Sequence, residues 1–242
     1  MTSAALSLVP PLLERVGAVG LAGIVTWPFL LNGLLPRYFP ELDRKPEDRL
    51  RALLGAGGPH LPTLSGWVAD ARMLLLLARY TLSRSPRTVV EFGSGVSTLV
   101  AAECLRRKGG GSIITHDHHS SFAAETAQRL RALGLEADVR SVPLCPLIAA
   151  RNGWGGAWYD TEELPSRIDL LIVDGPPWFL HPMARGNAAS LFSRIPRGGA
   201  VLLDDAYRPG ERLVGARWRR EYPDFDFRLL PTRKGALLGV RR

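Results

Sequence analysis

The stretch that decides the fold reads VVEFGSGVST and covers residues 89–98. Its first four residues are apolar apart from one glutamate and are typical of a buried strand. Gly93 and Gly95 then allow the backbone to bend and a ligand to approach, while Ser97 and Thr98 offer hydroxyl groups where a helix would begin. A strand that turns this tightly into a helix predicts a nucleotide-binding turn, although a Gly-x-Gly turn also occurs where no ligand binds.

A carboxylate follows at the spacing that nucleotide binding requires. Asp117 ends a second apolar stretch, residues 112–115, about two dozen residues beyond Gly93. A carboxylate at this place can accept hydrogen bonds from ribose hydroxyls. The third glycine of the dinucleotide-binding fingerprint is replaced by Thr98, so that fingerprint fails.

An acidic residue two positions before the first glycine gives the pattern Glu91-Phe92-Gly93-x-Gly95-x-Ser97-Thr98. This pattern resembles the first motif of the class I S-adenosylmethionine-dependent methyltransferases. Three later blocks resemble successive blocks of one bacterial branch of that superfamily, methyltransferase family 24. They read WYD at 158–160, IDLLIVDGPP at 168–177 and GGAVLLDDAYRPGE at 198–211. The resemblance spans residues 62–238.

The resemblance implies S-adenosyl-L-methionine as the cofactor and assigns residues to it. The methionine part would be surrounded by residues of the first motif: Glu91, Gly93, Ser94, Gly95, Ser97 and Thr98. Asp117 would hold the ribose, and His118 and Asp174 would also lie beside the cofactor. The family usually has glutamate where this chain has Asp117, and the neighbouring histidines shift the register by a residue.

The hydrophobic pattern alternates strands with helices, which predicts an α/β fold with a parallel sheet covered on both faces. Strands are predicted near residues 88–93, 111–117, 136–142, 168–174 and 199–205. Helices are predicted near residues 70–83, 97–107, 121–133, 184–195 and 209–221. Two more apolar stretches flank a polar turn at 231–235 and predict a hairpin. The resemblance implies a Rossmann-like, seven-stranded methyltransferase sheet that ends in this antiparallel hairpin.

Length and composition predict one domain with an extension. The chain has 242 residues, of which 46% are hydrophobic, and this suits a methyltransferase domain over residues 59–242 after a hydrophobic, helical segment over residues 1–58. Residues 16–36 carry no charge and are numerous enough to cross a bilayer. Basic residues follow this run more than they precede it, so a spanning helix would anchor the domain at the cytoplasmic face of the membrane. The alternative is a pair of helices, broken at Pro28, that packs on the domain or on a second subunit of a homodimer.

The net charge and the cysteine content indicate what kind of partner the protein binds and in which cellular compartment it lies. The net charge of +8 favours anionic partners such as nucleic acid, anionic lipid or an acidic glycan, and an arginine-rich solvated surface would give the same value. Cys104 and Cys145 form neither a disulfide framework nor a metal-binding spacing. The sequence therefore predicts a cytoplasmic protein.

Three aspartates are predicted to meet at the ligand crevice. Asp174 ends the fourth predicted strand, and Asp204 and Asp205 end the fifth. Converging carboxylates repel unless they are protonated or bridged by a cation, so the sequence predicts Mg²⁺ or Mn²⁺ at these residues. The alternative is structural, with Asp174 starting a turn and Asp204 or Asp205 capping a helix.

Candidate catalytic and acceptor-binding residues follow the same strands. His181 is a candidate general base together with Asp174, because histidine can take a hydroxyl proton near neutral pH. Arg185 and Arg208 could bind an anionic group of the acceptor or pair with Glu211 or an aspartate of the site, and Arg208 is also a catalytic candidate. Trp178 and Tyr207 are further candidates for acceptor contact. Residues 152–156 predict a mobile loop. Trp154 in this loop and Trp158 just after it could cover a substrate.

The predicted reaction is methyl transfer to a hydroxyl of a small molecule or glycan, in particular a sugar of a glycan or glycolipid. Two alternatives stay open. The basic charge and the segment Asp174–Trp178 suggest an RNA N-methyltransferase, but Gly175 interrupts that family's pattern and no RNA-binding module is visible, which disfavours nucleic acid. A noncatalytic, membrane-associated adaptor with the same fold would have no need of the first motif or the aspartates.

Overall fold

The computed structural model describes residues 46–55, 70–146 and 154–242. The apolar run at residues 16–36 and the predicted domain boundary at residue 58 lie outside these ranges. Within them, every helix is too short or too polar to cross a bilayer.

The described elements alternate along the chain as predicted. Five α-helices are present in these ranges, α1 (Pro46–Leu54), α2 (Ala71–Arg84), α3 (Val96–Arg107), α4 (Ser120–Ala132) and α5 (Pro209–Glu221), together with a 3-10 helix (Ala184–Arg194). The strands are β1 (Thr88–Phe92), β2 (Ser112–Asp117), β3 (Asp138–Ser141), β4 (Leu144–Pro146), β5 (Ala157–Tyr159), β6 (Leu170–Val173), β7 (Ala200–Asp204), β8 (Phe225–Leu230) and β9 (Ala236–Arg241).

Seven of the strands form one sheet in the order β3-β2-β1-β6-β7-β9-β8. The first five in this order run parallel, and the β8–β9 hairpin adds two antiparallel strands. The predicted Rossmann-like sheet with its closing hairpin is therefore confirmed. The chain leaves β1 toward β2 on one side and reaches β6 on the other, so the carboxyl end of β1 lies at a topological switch point, where α/β folds bind ligands.

Successive apolar side chains of the strands lie on opposite faces of the sheet and contribute to two hydrophobic cores. Val89, Leu170 and Leu202 pack with helices α1 to α4 on one face of the sheet. Val90 and Leu171 pack with the 3-10 helix and α5 on the other. Both faces are thus covered, as the continuous apolar strands predict. Leu50 and Leu54 of α1 belong to the first core, so this part of the predicted N-terminal extension packs with the domain.

One of the predicted helices, Ala184–Arg194, is a 3-10 helix. Within it, Asn187 Nδ2 donates to the carbonyl of Ala184 at 2.9 Å, and Ser190 Oγ donates to the carbonyl of Asn187 at 2.8 Å. Each of these bonds reaches back three residues and competes with the α-helical pattern. The predicted position of the helix is confirmed, and the structure adds that it is of the 3-10 type.

The prediction that Trp154 and Trp158 cover a substrate is wrong. Trp154 is 2% exposed, and Trp158 lies in β5, 4% exposed, where it packs against Phe92 with ring centroids 4.7 Å apart. Strand β5 pairs antiparallel with β4 in a separate two-stranded sheet that the sequence pattern did not reveal. Both tryptophans belong to the core on the α5 side of the main sheet.

Candidate active site

Two backbone turns touch at the centre of the site. Gly93 follows β1 with φ +93°, and a Cβ built there would lie 2.9 Å from the backbone nitrogen of Gly175. Gly175 follows β6, and its N–H donates to the carbonyl of Phe92 at 2.7 Å. The two glycines are required because only hydrogen atoms fit between these turns. The ends of β1 and β6 are thereby held side by side.

The turn opens at Gly95, where a Cβ would have no heavy atom within 4 Å. Beneath it, the backbone N–H of Gly95 donates to Thr98 Oγ1 at 3.0 Å, and Thr98 Oγ1 donates to Glu91 Oε2 at 2.5 Å. Glu91, Ser97 and Thr98 are buried, whereas Gly93 and Ser94 are partly exposed. The structure brings the first-motif residues together in two groups. The buried residues stabilise the turn, and the partly exposed residues face the open space at Gly95.

Burial changes the acidity of Glu91. Loss of water around its carboxyl raises the pKa of Glu91 to about 7, and hydrogen bonds from Ser97, Thr98 and Thr115 oppose the shift. Oxygen Oε1 of Glu91 has no hydrogen-bond partner of normal geometry among the described residues. The neutral form of this acid is therefore well populated at neutral pH.

Asp117 joins the end of β2 to the glycine turn. Its Oδ2 accepts hydrogen bonds from Ser94 N and Ser94 Oγ, both at 2.8 Å, and its Oδ1 accepts from His119 N at 2.9 Å. His118 Nδ1 lies 3.6 Å from Oδ1 of the same carboxylate. A carboxylate has about four acceptor positions, so the bound Asp117 can still receive a further donor.

Tyr159 lies at the same junction. Its ring stacks on Phe92 at 5.0 Å, and its hydroxyl group would be 2.5 Å from a Cβ built at Gly175. Burial raises the pKa of Tyr159, with a further contribution from the Asp117 carboxylate. The WYD block contains this residue, but no sequence pattern indicates that a strand carries its hydroxyl group to the switch point.

The three predicted aspartates converge. One carboxylate oxygen from each of Asp174, Asp204 and Asp205 lies within 4.8 Å of the other two. Asp204 and Asp205 are buried, whereas the side chain of Asp174 is 23% exposed. Asp205 has φ +57°, a left-handed backbone conformation that aspartate tolerates better than most residues.

A guanidinium group lies among these carboxylates. Arg185 Nη1 is 3.1 Å from Asp205 Oδ2, Arg185 Nη2 is 3.4 Å from Asp174 Oδ1, and Arg185 Nε is 3.8 Å from Glu211 Oε1. The same guanidinium donates to the backbone carbonyls of Asp174, Pro176 and Asp204. Of the two roles open for Arg185, the structure shows pairing with the acidic residues of the site.

Two more basic groups reach Asp205. Arg208 Nη1 lies 2.8 Å from Oδ2, and Lys234 Nζ lies 3.8 Å from Oδ1. Lys234 belongs to the turn of the β8–β9 hairpin, which the sequence interpretation did not connect with the site. Glu211, which the sequence offers as a partner for Arg185 or Arg208, lies 3.8 Å from Arg185 Nε.

The cluster shifts the acidity of its members. Burial raises the pKa of Asp174 to about 6, with Arg185 opposing and Asp205 adding to the shift. Burial and the neighbouring Asp174 and Asp205 raise the pKa of Asp204 well above its usual range. Burial disfavours the charged form of Arg185, but the surrounding carboxylates outweigh it and raise the pKa of the guanidinium.

These residues do not fit a divalent cation. Their oxygens are of the donor type that Mg²⁺ and Mn²⁺ prefer. However, Arg185 already bridges Asp174 and Asp205, and Asp205 contacts three basic groups. An added double positive charge would be repelled by these neighbours at close range.

The remaining candidates lie around the cluster. His181 is half-buried, its Nδ1 accepts a long hydrogen bond of 3.4 Å from Met183 N, and a Cβ at Gly156 would lie 2.4 Å from its ring. Tyr207 packs its ring against Gly235 of the hairpin turn. Trp178 is 47% exposed. Among the described residues, no hydrogen bond joins His181 to the three aspartates.

Comparison with known proteins agrees with this architecture. Residues 90–206 match the family model described as a methyltransferase domain, family 24. A comparison with curated protein sequences gives no match.

Solved methyltransferase structures share the fold. A methyltransferase of Podospora anserina is 15% identical, with 83% of this chain and 97% of that chain covered and a TM-score of 0.56. An O-methyltransferase of Bacillus cereus is 16% identical, with 90% and 100% covered and a TM-score of 0.55. The O-methyltransferase TomG of Streptomyces achromogenes is 19% identical, with 79% and 90% covered and a TM-score of 0.50. By the family match over residues 90–206 and by this shared fold, the chain resembles the class I, S-adenosylmethionine-dependent methyltransferases of family 24.

Proposed function

We propose that this chain is an O-methyltransferase, which transfers the methyl group of S-adenosyl-L-methionine to a hydroxyl group. The observation that carries the proposal is the open space at Gly95, in the turn that Ser94 and Asp117 tie together. Two structures that share the fold are named O-methyltransferases, one in complex with S-adenosylmethionine and one with S-adenosylhomocysteine, which supports transfer to oxygen.

The cofactor would follow the carboxyl edge of the sheet. Its methionine part would lie against Gly93, Ser94 and Gly95, which are partly exposed, with the open space at Gly95. Asp117 would accept the ribose hydroxyls with the acceptor capacity that remains, and His118 lies beside it. The methyl group would then point toward the crevice at the end of β6.

The reaction needs an acceptor oxygen in line with the methyl carbon and the sulfur. The carbon–oxygen bond forms as the carbon–sulfur bond breaks, and the hydroxyl proton passes to a base. His181 and Asp174 are the two proposed proton acceptors, because both have partly exposed side chains at this edge. Arg208, within 2.8 Å of Asp205, would fix the carboxylates behind them. The sequence-predicted magnesium or manganese has no step in this mechanism.

The proposed acceptor is a sugar hydroxyl of a glycan or glycolipid. Trp178, Phe179 and Leu180 are 47%, 58% and 50% exposed, and they follow Asp174 by only a few residues. This apolar strip beside a polar crevice suits a molecule with both an apolar and a hydroxylated part. The positive net charge favours an acceptor with anionic groups.

Titration of the full chain with S-adenosylmethionine tests the proposal. Gly95→Arg should abolish measurable binding, because its side chain fills the open space. Gly95→Ala should bind nearly as well as the parent, because a single methyl group there meets no atom within 4 Å. Ala216→Arg adds the same charge on the exposed side of α5 and should leave binding unchanged.

Two results would contradict the proposal. The first is a parent protein that does not bind S-adenosylmethionine, and the second is equal binding by the parent and Gly95→Arg. The acceptor is then identified from the mass and linkage of the product formed with labelled cofactor and a cell-envelope extract. Label transferred to RNA nitrogen in place of a hydroxyl would favour the nucleic-acid alternative.

A further inference from the structure

The buried guanidinium of Arg185 lies where the sequence predicts a divalent cation. Its Nη1 and Nη2 reach Asp205 and Asp174, which stand at the ends of two neighbouring strands. Its donors also reach three backbone carbonyls in the same segments. The planar fork of arginine suits this bridging geometry better than a lysine ammonium group would.

The charges around Arg185 nearly balance without a metal. Four acidic side chains meet here, those of Asp174, Asp204, Asp205 and Glu211. Three basic side chains, those of Arg185, Arg208 and Lys234, contact the carboxylates of Asp174, Asp205 and Glu211. The carboxylate of Asp204 has no hydrogen-bond partner among the described residues, and its pKa is raised well above the usual range, which favours its neutral form. Arginine stays protonated at every physiological pH, so its charge cannot be withdrawn to make room for a cation. Both oxygens of Asp205 already have a basic partner.

We propose that Arg185 takes the place of a divalent cation in this site and holds the carboxylates at the ends of β6 and β7. Arg185 is a positioning residue, because its guanidinium acts on Asp174 and Asp205 rather than on the methyl group. The contacts of Arg185 with Asp174 and Asp205 are by themselves sufficient to exclude a divalent cation. Its consequence for turnover, that methyl transfer needs no added metal, rests on the proposed function.

Titration of the metal-free full chain with Mn²⁺ and Mg²⁺ tests the inference directly. Neither ion should raise the melting temperature of the parent protein, and the electron paramagnetic resonance signal of free Mn²⁺ should not decrease. If the parent binds one Mn²⁺ per chain and chelator abolishes both this binding and turnover, the inference is overturned.

Arg185→Met is the informative variant. It removes the guanidinium and keeps an unbranched side chain, so the uncompensated carboxylates should gain Mn²⁺ affinity by about tenfold or more, and Mg²⁺ should raise the melting temperature. A residue with a purely structural role would lower stability without creating a metal site. If folded Arg185→Met binds Mn²⁺ no better than the parent protein does, the inference is also overturned.

Arg185→Lys is the matched control and covers the case in which the methionine variant does not fold. It keeps the positive charge but loses the bidentate fork, so it should remain unable to bind Mn²⁺. Strong Mn²⁺ binding by this variant would contradict the inference. Cofactor titration of the parent separates the two proposals, because failure to bind S-adenosylmethionine refutes the proposed function and leaves the metal result standing.

Discussion

At the scale of single residues, the site places two buried charged groups in opposite situations. Arg185 is surrounded by carboxylates and carbonyls, so its charge is stabilised where it lies. Glu91 lies under the glycine turn with one oxygen bonded to Thr98 and the other without a partner of normal geometry. Burial disfavours the charged form of both groups. The carboxylates around Arg185 outweigh this effect, whereas no positive group among the described residues does so for Glu91, and its neutral form is favoured.

The burial of Glu91 predicts a pH-dependent stability. Its pKa is about 7 in the folded protein, against 4.5 for an ordinary glutamate, so the folded state binds this proton more tightly. The resulting stability is fully present below pH 4.5 and is lost as the pH rises through 7. Glu91→Gln cannot ionise and should gain up to about 3 kcal/mol over the parent between pH 4.5 and 8.

Urea unfolding of both proteins at several pH values measures this difference. Glu136→Gln, at an exposed glutamate, should follow the parent at every pH because this side chain stays in water when the chain folds. A constant offset between Glu91→Gln and the parent across this range would show that Glu91 does not bind its proton more tightly in the folded state.

At the scale of elements, strands and helices with continuous apolar patterns were predictable. Residues 88–93 and 111–117 were predicted as strands and contain β1 and β2, and α5 has the predicted limits. The pairing of β4 with β5 was not predictable, because neither three-residue strand has a periodic pattern. The 3-10 helix carries side-chain hydrogen bonds that reach back three residues, and a periodic apolar pattern does not show them. Its Gly186 also contacts Trp154, which is thirty-two residues away in sequence.

That contact gives a prediction for the 3-10 helix. A Cβ at Gly186 would lie 2.2 Å from the ring of Trp154, and Arg217 covers this ring, its guanidinium carbon 4.0 Å from the ring centroid. Gly186→Ala should therefore lower the free energy of unfolding by about 1–3 kcal/mol through overpacking. Gly95→Ala is the matched control, because the same methyl group meets open space there. Equal stability of the two variants in urea would contradict the close packing at Gly186.

At the scale of the whole molecule, topology explains which part of the site could be predicted. Asp174, Asp204 and Asp205 end β6 and β7 or follow them directly, and neighbouring parallel strands bring such residues to one edge, so their convergence followed from the strand pattern. The approach of Arg185 from the 3-10 helix and of Lys234 from the hairpin depends on side-chain directions that no local pattern encodes. The sequence therefore predicted the place of the carboxylates, but it predicted Mg²⁺ or Mn²⁺ as the balancing charge and not the basic side chains that contact them.

The uncharged run at residues 16–36 predicts how the full chain meets a membrane. If the run inserts as an apolar segment, the chain should float with lipid vesicles and stay bound at high salt, because salt screens charge attraction but not apolar burial. Val25→Asp should weaken this binding by about 3 kcal/mol, the cost of an aspartate near the middle of a spanning helix. Ala216→Asp, at an exposed position on α5, should float like the parent. Release of the parent from the vesicles by high salt would instead show that the net charge of +8 causes the binding. A chain that remains in the soluble fraction as a dimer would favour packing of the run on a second subunit.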